Sequence, residues 1–504
     1  MNMGRNPNPG HVLNAWRSWQ RPQQLLAGII VALGTLCCGS LADAAEPVEN
    51  AAASASGVAE PESGSPNAPV FVGNSELKAR LDTPGKLSVA GERLHDKLVR
   101  HFYEVHGYRT VWDQHPAEAS RLWKAVMRAG EHGLDARLFH AAILGERGPS
   151  LTLVEHDLML SDAFLSYADA LSRGAMPIED RADDEDLTPE PVDLIGVLDA
   201  AAAEPDPARL VEALAPSSAE YEAMRRAYAE YRAIADGGDM GVRSRKISQH
   251  GLAETRVVAE KRARQLAINL ERLRWLPRHI PPDRVVVNSA VARLQLFRSD
   301  RPIFTTRVVV GEIDKQTPEF QSAINDVLFN PPWNIPHSIV QKEILPKLAA
   351  DPDFLSRHHM RWRAGGSIQQ EAGPYSALGR LKFEMTDRYD VYLHDTPSRS
   401  LFQSPERMMS HGCVRVENPR VLAGLLLDQN PQTIDRGIAQ GLTTRRALPT
   451  PLPIFIIYQT AYLETDNSIQ FRPDPYERDD EIWQHLFRWQ QPTAHDSAAG
   501  QPKG

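Results

Sequence analysis

The sequence predicts an α+β, multidomain protein in which a mostly helical part precedes a β-rich part. Three observations carry that expectation. The chain has 504 residues, too many for one ordinary core, so two or three domains are expected. Up to about residue 277, apolar residues recur at steps of three and four, the period of a helix with one buried face. After Pro282 the period drops to two, in short Val-, Ile- and Leu-rich runs broken by Asn, Ser, Asp and Gly.

Taken in order, the chain opens with Arg5, Arg17 and Arg21 ahead of an apolar run from Leu25 to Leu36, followed by Leu41 Ala42 Asp43 Ala44. Residues 1–44 are therefore expected to be a secretory signal peptide, giving a periplasmic protein, with an uncleaved inner-membrane anchor as the alternative. The run falls short of the roughly 20 apolar residues a full span needs. Residues 45–74, rich in Ala, Ser, Pro and Glu, are expected to be a disordered linker.

A helical domain is expected over 75–277. Leu94, Leu98, Phe102 and Val105 form one stripe, and Leu158, Phe164, Tyr167 and Leu171 form another that ends near Gly174. Acidic, Pro-bearing loops follow. Helical pattern resumes from Tyr221 to Ile234 and from about Glu254 to Trp275, where Pro277 stops it.

A β-rich domain is expected over 278–463, with strands around 285–287, 294–296, 303–310, 327–329, 382–385, 391–394, 414–416 and 454–458. It is interrupted by a polar, helical insertion at about 338–373, ending in a Gly-rich loop. An insertion of that size commonly serves as a lid. A short helix is expected at 421–427. Residues 464–504 read as a polar tail with one short amphipathic helix.

Composition narrows the chemistry. A net charge of −9 without any Lys/Arg block offers no field for nucleic acid. Of the three cysteines, Cys37 and Cys38 would leave with the signal peptide, and Cys413 remains alone. An unpaired cysteine in an exported protein is a free reactive thiol, half of an intermolecular disulfide, or a buried inert residue.

Its neighbourhood favours reactivity. Cys413 lies in Ser410 His411 Gly412 Cys413 Val414 Arg415 Val416, and Tyr392 Leu393 His394 Asp395 lies upstream. Both pieces alternate as strands, so one outward surface carries Tyr392 and His394 and a second carries Cys413 and Arg415. A thiol attacks a carbonyl as thiolate, which calls for an imidazole or a cation close by. His394, on a separate strand, is assigned as the general base, and His411 is placed for positioning. Gly412 lets the backbone come close, so the Cys413 N–H and its neighbours can form an oxyanion hole. One Cys and two His could in principle hold zinc, but no Cys pair or His-Glu-x-x-His run accompanies them. Neither metal nor cofactor is expected.

These residues carry a family resemblance. The 410–416 stretch, with His394 nineteen positions before the cysteine, resembles the signature of the L,D-transpeptidases, whose catalytic unit is a YkuD-type β domain. Asn330 Pro331 Pro332 Trp333 Asn334 Ile335 Pro336, Gly373 to Arg380, Val391 to Pro397 and Glu271 to Pro277 resemble the large YcbB-like members of Gram-negative bacteria. Pieces around His106 to Trp112 and His132 to Asp135 resemble the scaffold domain of that group.

The resemblance implies a helical scaffold domain, a YkuD-type catalytic domain with a helical capping insertion, and cell-wall biogenesis through peptidoglycan 3-3 cross-links. It implies that Cys413 attacks the diaminopimelate carbonyl of a donor tetrapeptide and expels D-alanine. His394, oriented by a backbone carbonyl, would take the thiol proton and later serve the incoming amine of a second diaminopimelate. His411 and Gly412 would shape the oxyanion region, and Arg415, Tyr392 and Ser410 would contact substrate, with a loop-supporting salt bridge as the alternative for Arg415. Stem peptides are the expected partners, with cell-wall synthesis proteins as further candidates, and carbapenems the expected inhibitors. A small peptidoglycan-binding module, frequent in large members, is not identifiable at 215–254. The alternatives are an L,D-carboxypeptidase, an enzyme attaching protein to peptidoglycan, and, from another class, an inactive wall-binding scaffold.

Overall fold

The computed structural model describes residues 73–145, 148–237 and 249–488. The expected signal peptide, the linker up to residue 72 and the tail beyond 488 lie outside the described residues.

The helical part is built around Leu153–Arg173, a 21-residue helix started by a reciprocal capping box between Thr152 and Glu155. Nearly every residue along it is buried, because short helices pack on all sides. It ends at Gly174, whose φ of 96° suits glycine. A Cβ there would sit 2.5 Å from Glu271 Oε1 and 2.6 Å from Trp275 Nε1, so the close approach also requires glycine.

Those two residues close the second packing unit, formed by Ala219–Ala235 against Gln249–Arg274. At its end lies a buried ion pair. Arg274 Nη2 donates to Glu271 Oε2 at 2.6 Å, and Arg274 Nη1 donates to His132 O (2.9 Å) and Tyr221 Oη (3.0 Å). Glu271 Oε1 accepts from the Met176 N–H at 2.8 Å. Burial alone would raise the Glu271 pKa, and the guanidinium outweighs it and holds the carboxyl ionised.

The β-rich part is a closed ring. Its order is Arg301–Gly311, Val414–Val416, Leu393–His394, Leu381–Met385, Phe320–Phe329, Thr444–Ile457, Arg284–Asn288 and Arg293–Arg298, which pairs back onto Arg301–Gly311. Met408–Ser410 is added outside the ring on Arg301–Gly311. Val285, Val287, Leu294, Val308, Ile324, Val327, Phe383, Leu393, Val414 and Ile456 fill the interior. Closure leaves no free sheet edge within the ring.

The insertion is a small layer with its own core. Trp333–Asn334, Ile368–Gln370 and Met360–Trp362 form a three-stranded sheet. Helical turns between His337 and Ala350 pack on it through Ile335, Val340, Ile344, Leu355 and Ile368. It thus begins nearer Trp333 than Ser338, and the Gly-rich stretch expected as loop contains the strand Ile368–Gln370. That strand has no period of its own because its partners lie far away in sequence.

The 464–488 stretch is a correction to the expected polar tail. Ile469–Phe471 pairs with Ala461–Leu463, and Asp479–Leu486 docks Ile482 and Leu486 into the helical core. Arg272 reaches Asp479 at 2.5 Å, and His485 Nε2 lies 3.0 Å from Ala175 O. Polar composition hid this, because the segment contacts the helical domain through charges as well as through a few apolar residues.

A second tie joins the two parts. The loop at 183–186 bridges to Glu319 at the start of a ring strand: Glu319 N–H donates to Asp184 O (2.7 Å) and Asp186 N–H to Glu319 O (2.8 Å). Burial, reinforced by neighbouring Glu185, pushes the Glu319 carboxyl up to about 7 against the pull of Arg478 and Arg272.

Candidate active site

The site lies where Leu393–His394 and Val414–Val416 run side by side. They pair in parallel, with Leu393 opposite Val414 and His394 opposite Arg415. Leu393 and Val414 point into the ring, so Tyr392, His394, Cys413 and Arg415 all fall on its outer face. The two surfaces expected from the sequence are therefore one surface. The Val414 N–H donates to Tyr392 O at 3.1 Å and locks the register.

Cys413 is a free, half-buried thiol. Its Sγ lies 3.9 Å from Asp390 O and borders the Tyr392 hydroxyl and N–H. Burial pushes the thiol pKa up, and Tyr392 and the Lys382 cation pull against it without prevailing. Burial likewise raises the Tyr392 phenol, with the neighbouring thiol adding to it. Lys382 Nζ stands 3.9 Å from the centre of the Tyr392 ring.

His394 is almost fully buried, and its ring meets that of Tyr392 edge-on at 5.6 Å between centres. Its Nδ1 lies 2.6 Å from Asp395 O. An N–H donated there leaves Nε2 with its lone pair. Burial, helped by the charges of Arg415 and Lys382, lowers its pKa to about 3. The imidazole is thus neutral near pH 7, and its burial makes it a weaker proton acceptor than a free imidazole.

Asp395 does other work. Its carboxylate accepts from the Arg380 N–H (2.9 Å), the Thr396 N–H (2.8 Å) and Arg399 Nη1 (3.0 Å).

The resting pair is therefore neutral thiol and neutral imidazole. This departs from the expectation of a thiol acidified by its surroundings, because desolvation by burial outweighs Tyr392 and the nearby cation. One consequence is measurable. Alkylation of Cys413 by iodoacetamide is expected to be slower at pH 7 than for a free cysteine, and to keep climbing with pH after a free thiol has levelled off. A fast, pH-flat reaction would mean a preformed thiolate.

The turn before the nucleophile is held from below. Ser410 Oγ donates to Cys413 O (2.6 Å) and accepts from the Gly412 N–H (3.1 Å), so its hydroxyl is used within the turn. Gly412 has φ 110°, and its carbonyl accepts from Thr317 Oγ1 at 2.8 Å. With the Gly412 N–H committed, the Cys413 N–H is the motif's remaining oxyanion donor. Arg415 is half-buried and, among the described residues, has no carboxylate partner, so the salt-bridge alternative for it is not realised. His411 Nε2 lies 2.5 Å from Glu343 Oε1 of the insertion.

Above these residues is a cavity of about 700 Å³, lined by Cys413, His411, Tyr392, Asp390 and Lys382 on the ring side and by Trp333, Ile335, Ile339, Lys342 and Glu343 on the cap side. His394 does not line it. Lys382, Lys342, Glu343 and Asp390 could not be found from sequence, because charged surface residues carry no signal until the cap folds over the strands. Trp333 lay within the Asn330 to Pro336 stretch. Among the described residues no cluster of His, Cys, Asp and Glu could hold a metal ion.

Residues 282–434 match the family model for the L,D-transpeptidase catalytic domain, YkuD, and residues 97–227 match the model for the Scaffold domain. A Haemophilus influenzae protein provisionally named an L,D-transpeptidase is 34% identical over 248 residues, covering 45% of this chain. The chain spans 50% of that relative's length. Among solved structures, an L,D-transpeptidase from Mycobacterium smegmatis is similar at 12% identity, over 35% of this chain and 58% of that one, with a TM-score of 0.20. Another L,D-transpeptidase, in complex with imipenem, has 12% identity, covers 35% and 59%, and has a TM-score of 0.18.

Proposed function

We propose, for a chain that carries an L,D-transpeptidase catalytic domain behind a scaffold domain, that it forms 3-3 cross-links in peptidoglycan through a thioester on Cys413. The observation that supports this most is the free thiol opening into a capped cavity, with a buried neutral imidazole on the neighbouring strand. A dry, half-enclosed thiol is poor at reacting with stray electrophiles and good at reacting when a base takes its proton in the same step.

In the proposed reaction, His394 accepts the Cys413 proton as sulfur attacks the diaminopimelate carbonyl, and the oxyanion is held by the Cys413 N–H. The C–N bond to the terminal D-alanine breaks, and the proton passes to the departing amine. A second stem peptide then displaces the sulfur through its diaminopimelate side-chain amine. Gly412 shapes the backbone for the oxyanion, and Tyr392 and Arg415 border the bound peptide. Export through the 1–44 segment to the periplasm belongs to the same proposal, as does acylation of Cys413 by carbapenems.

The test is incubation of the mature chain with disaccharide tetrapeptide, followed by intact-mass and muropeptide analysis. A dimer that has lost one D-alanine is the expected product. A tripeptide monomer alone would move the assignment to an L,D-carboxypeptidase. Peptidoglycan binding with neither adduct nor product would favour the scaffold reading.

A further inference from the structure

Turning an ammonium into an amide nitrogen releases two protons, and the departing thiolate can reclaim only one. The other must leave the site through a second base. His394 can exchange a proton with the reacting atoms but offers it no route to solvent, because it is almost fully buried and does not line the cavity.

His411 is placed differently. It lines the cavity together with Cys413 and is half-open to it. Its Nε2 is 2.5 Å from Glu343 Oε1, while Nδ1 has no hydrogen-bond partner among the described residues. An Nε2–H donated to the carboxylate puts the lone pair on Nδ1 and stabilises the imidazolium that forms when Nδ1 takes a proton. The carboxylate comes from a wide π-type turn, Val340–Ile344, of the cap, so the pair joins the cap to the turn that precedes Cys413. The charged groups facing His411 are Glu343 from the cap and, from the turn after Arg301–Gly311, Lys315 (3.9 Å from Glu343) and Glu312. Lys342, Lys382 and Asp390 complete the charged lining.

Resting on the transpeptidase reading above, we propose that His411, oriented by Glu343, is the acceptor-side base. It takes one proton from the incoming primary ammonium at Nδ1 and passes it to solvent. The freed nitrogen attacks the thioester carbon, the C–N bond forms, the C–S bond breaks, and the second proton goes to the sulfur. His394 serves the thiol and His411 the amine. Glu343 is a positioning residue, since it acts through the imidazole.

The experiment separates the two half-reactions. Acyl-enzyme is formed with disaccharide tetrapeptide and followed by intact mass; then disaccharide tripeptide, which offers an amine but no leaving D-alanine, is added across pH 6.5 to 9.5. In Glu343→Gln and His411→Gln the loss of transfer should far exceed any loss of acyl-enzyme formation. Transfer at pH 7 should fall by about 10²-fold, the usual size of a general-base contribution. The deficit should shrink towards pH 9.5, where the acceptor deprotonates by itself. His394→Ala should instead block acyl-enzyme formation. Parallel loss of acylation and transfer, or a deficit constant with pH, would overturn the proposal and leave the Glu343 contact as a mechanical latch on the cap. No acyl-enzyme from the parent would overturn the transpeptidase reading itself.

Discussion

Cys413→Ala is expected to remove cross-linked product altogether, a loss of more than about 10⁴-fold in turnover, as for other nucleophiles that form covalent intermediates. The fold should survive. The residue sits on the outer face of the ring, its side chain is half-buried, and it makes only the 3.9 Å contact to Asp390 O and the border with Tyr392. Replacing the thiol by a methyl group there should change stability by no more than about 1 kcal/mol. Muropeptide analysis and thermal unfolding on the same sample decide it. A variant that unfolds early would mean that Cys413 is chiefly a packing residue, and residual product would place the nucleophile elsewhere.

The largest expected effect on stability lies far from the cavity. Arg274→Ala would leave the Glu271 carboxylate, fully buried, without its counter-charge, with the Met176 and Ala175 N–H groups and the Trp275 indole N–H (3.2 Å) as neutral donors. Breaking one side of a buried pair costs about 3–5 kcal/mol, because the remaining charge has lost its compensation. The guanidinium also satisfies His132 O and Tyr221 Oη, so two further acceptors lose a donor. Denaturant unfolding should show the loss. Replacing both partners at once, Glu271→Gln with Arg274→Met, should recover much of it. An Arg274→Ala protein as stable as the parent would mean that water reaches Glu271.

Both predictions touch residues that differed in how far they could be read from the sequence. Cys413 and His394 were legible because strands alternate, and alternation places Tyr392 with His394 and Cys413 with Arg415 whatever the tertiary fold. That the two sets share one face was not legible, since parallel pairing of Leu393 with Val414 joins segments through contacts that leave no local pattern. The direction of the thiol pKa was not legible for the same reason: it depends on burial that exists only in the folded site. Arg274 and Glu271 stood in a stretch noted only for its resemblance, and nothing in a helix-terminal charged pair tells buried from exposed. In 464–488 the short amphipathic helix was legible but its docking and the strand Ile469–Phe471 were not, because the segment is held to Arg272 and Arg264 by Asp479 and Asp480 as well as by Ile482 and Leu486.

The position of Thr444–Ile457 in the ring has a consequence for the chain while it is being made. That strand fills the place between Phe320–Phe329 and Arg284–Asn288. Residues up to 434, the extent of the matched catalytic domain, therefore hold Cys413, His394 and the cap but describe an open sheet. Until residue 457 has been delivered, Phe320–Phe329 and Arg284–Asn288 each present an unpaired edge, and the interior behind Cys413 is unsealed. In a chain not yet folded through residue 457, the Cys413 thiol is exposed before its cap and ring exist. Late-arriving residues thus govern how long Cys413 is left unguarded, and helpers that hold nascent chains would act most usefully in that interval.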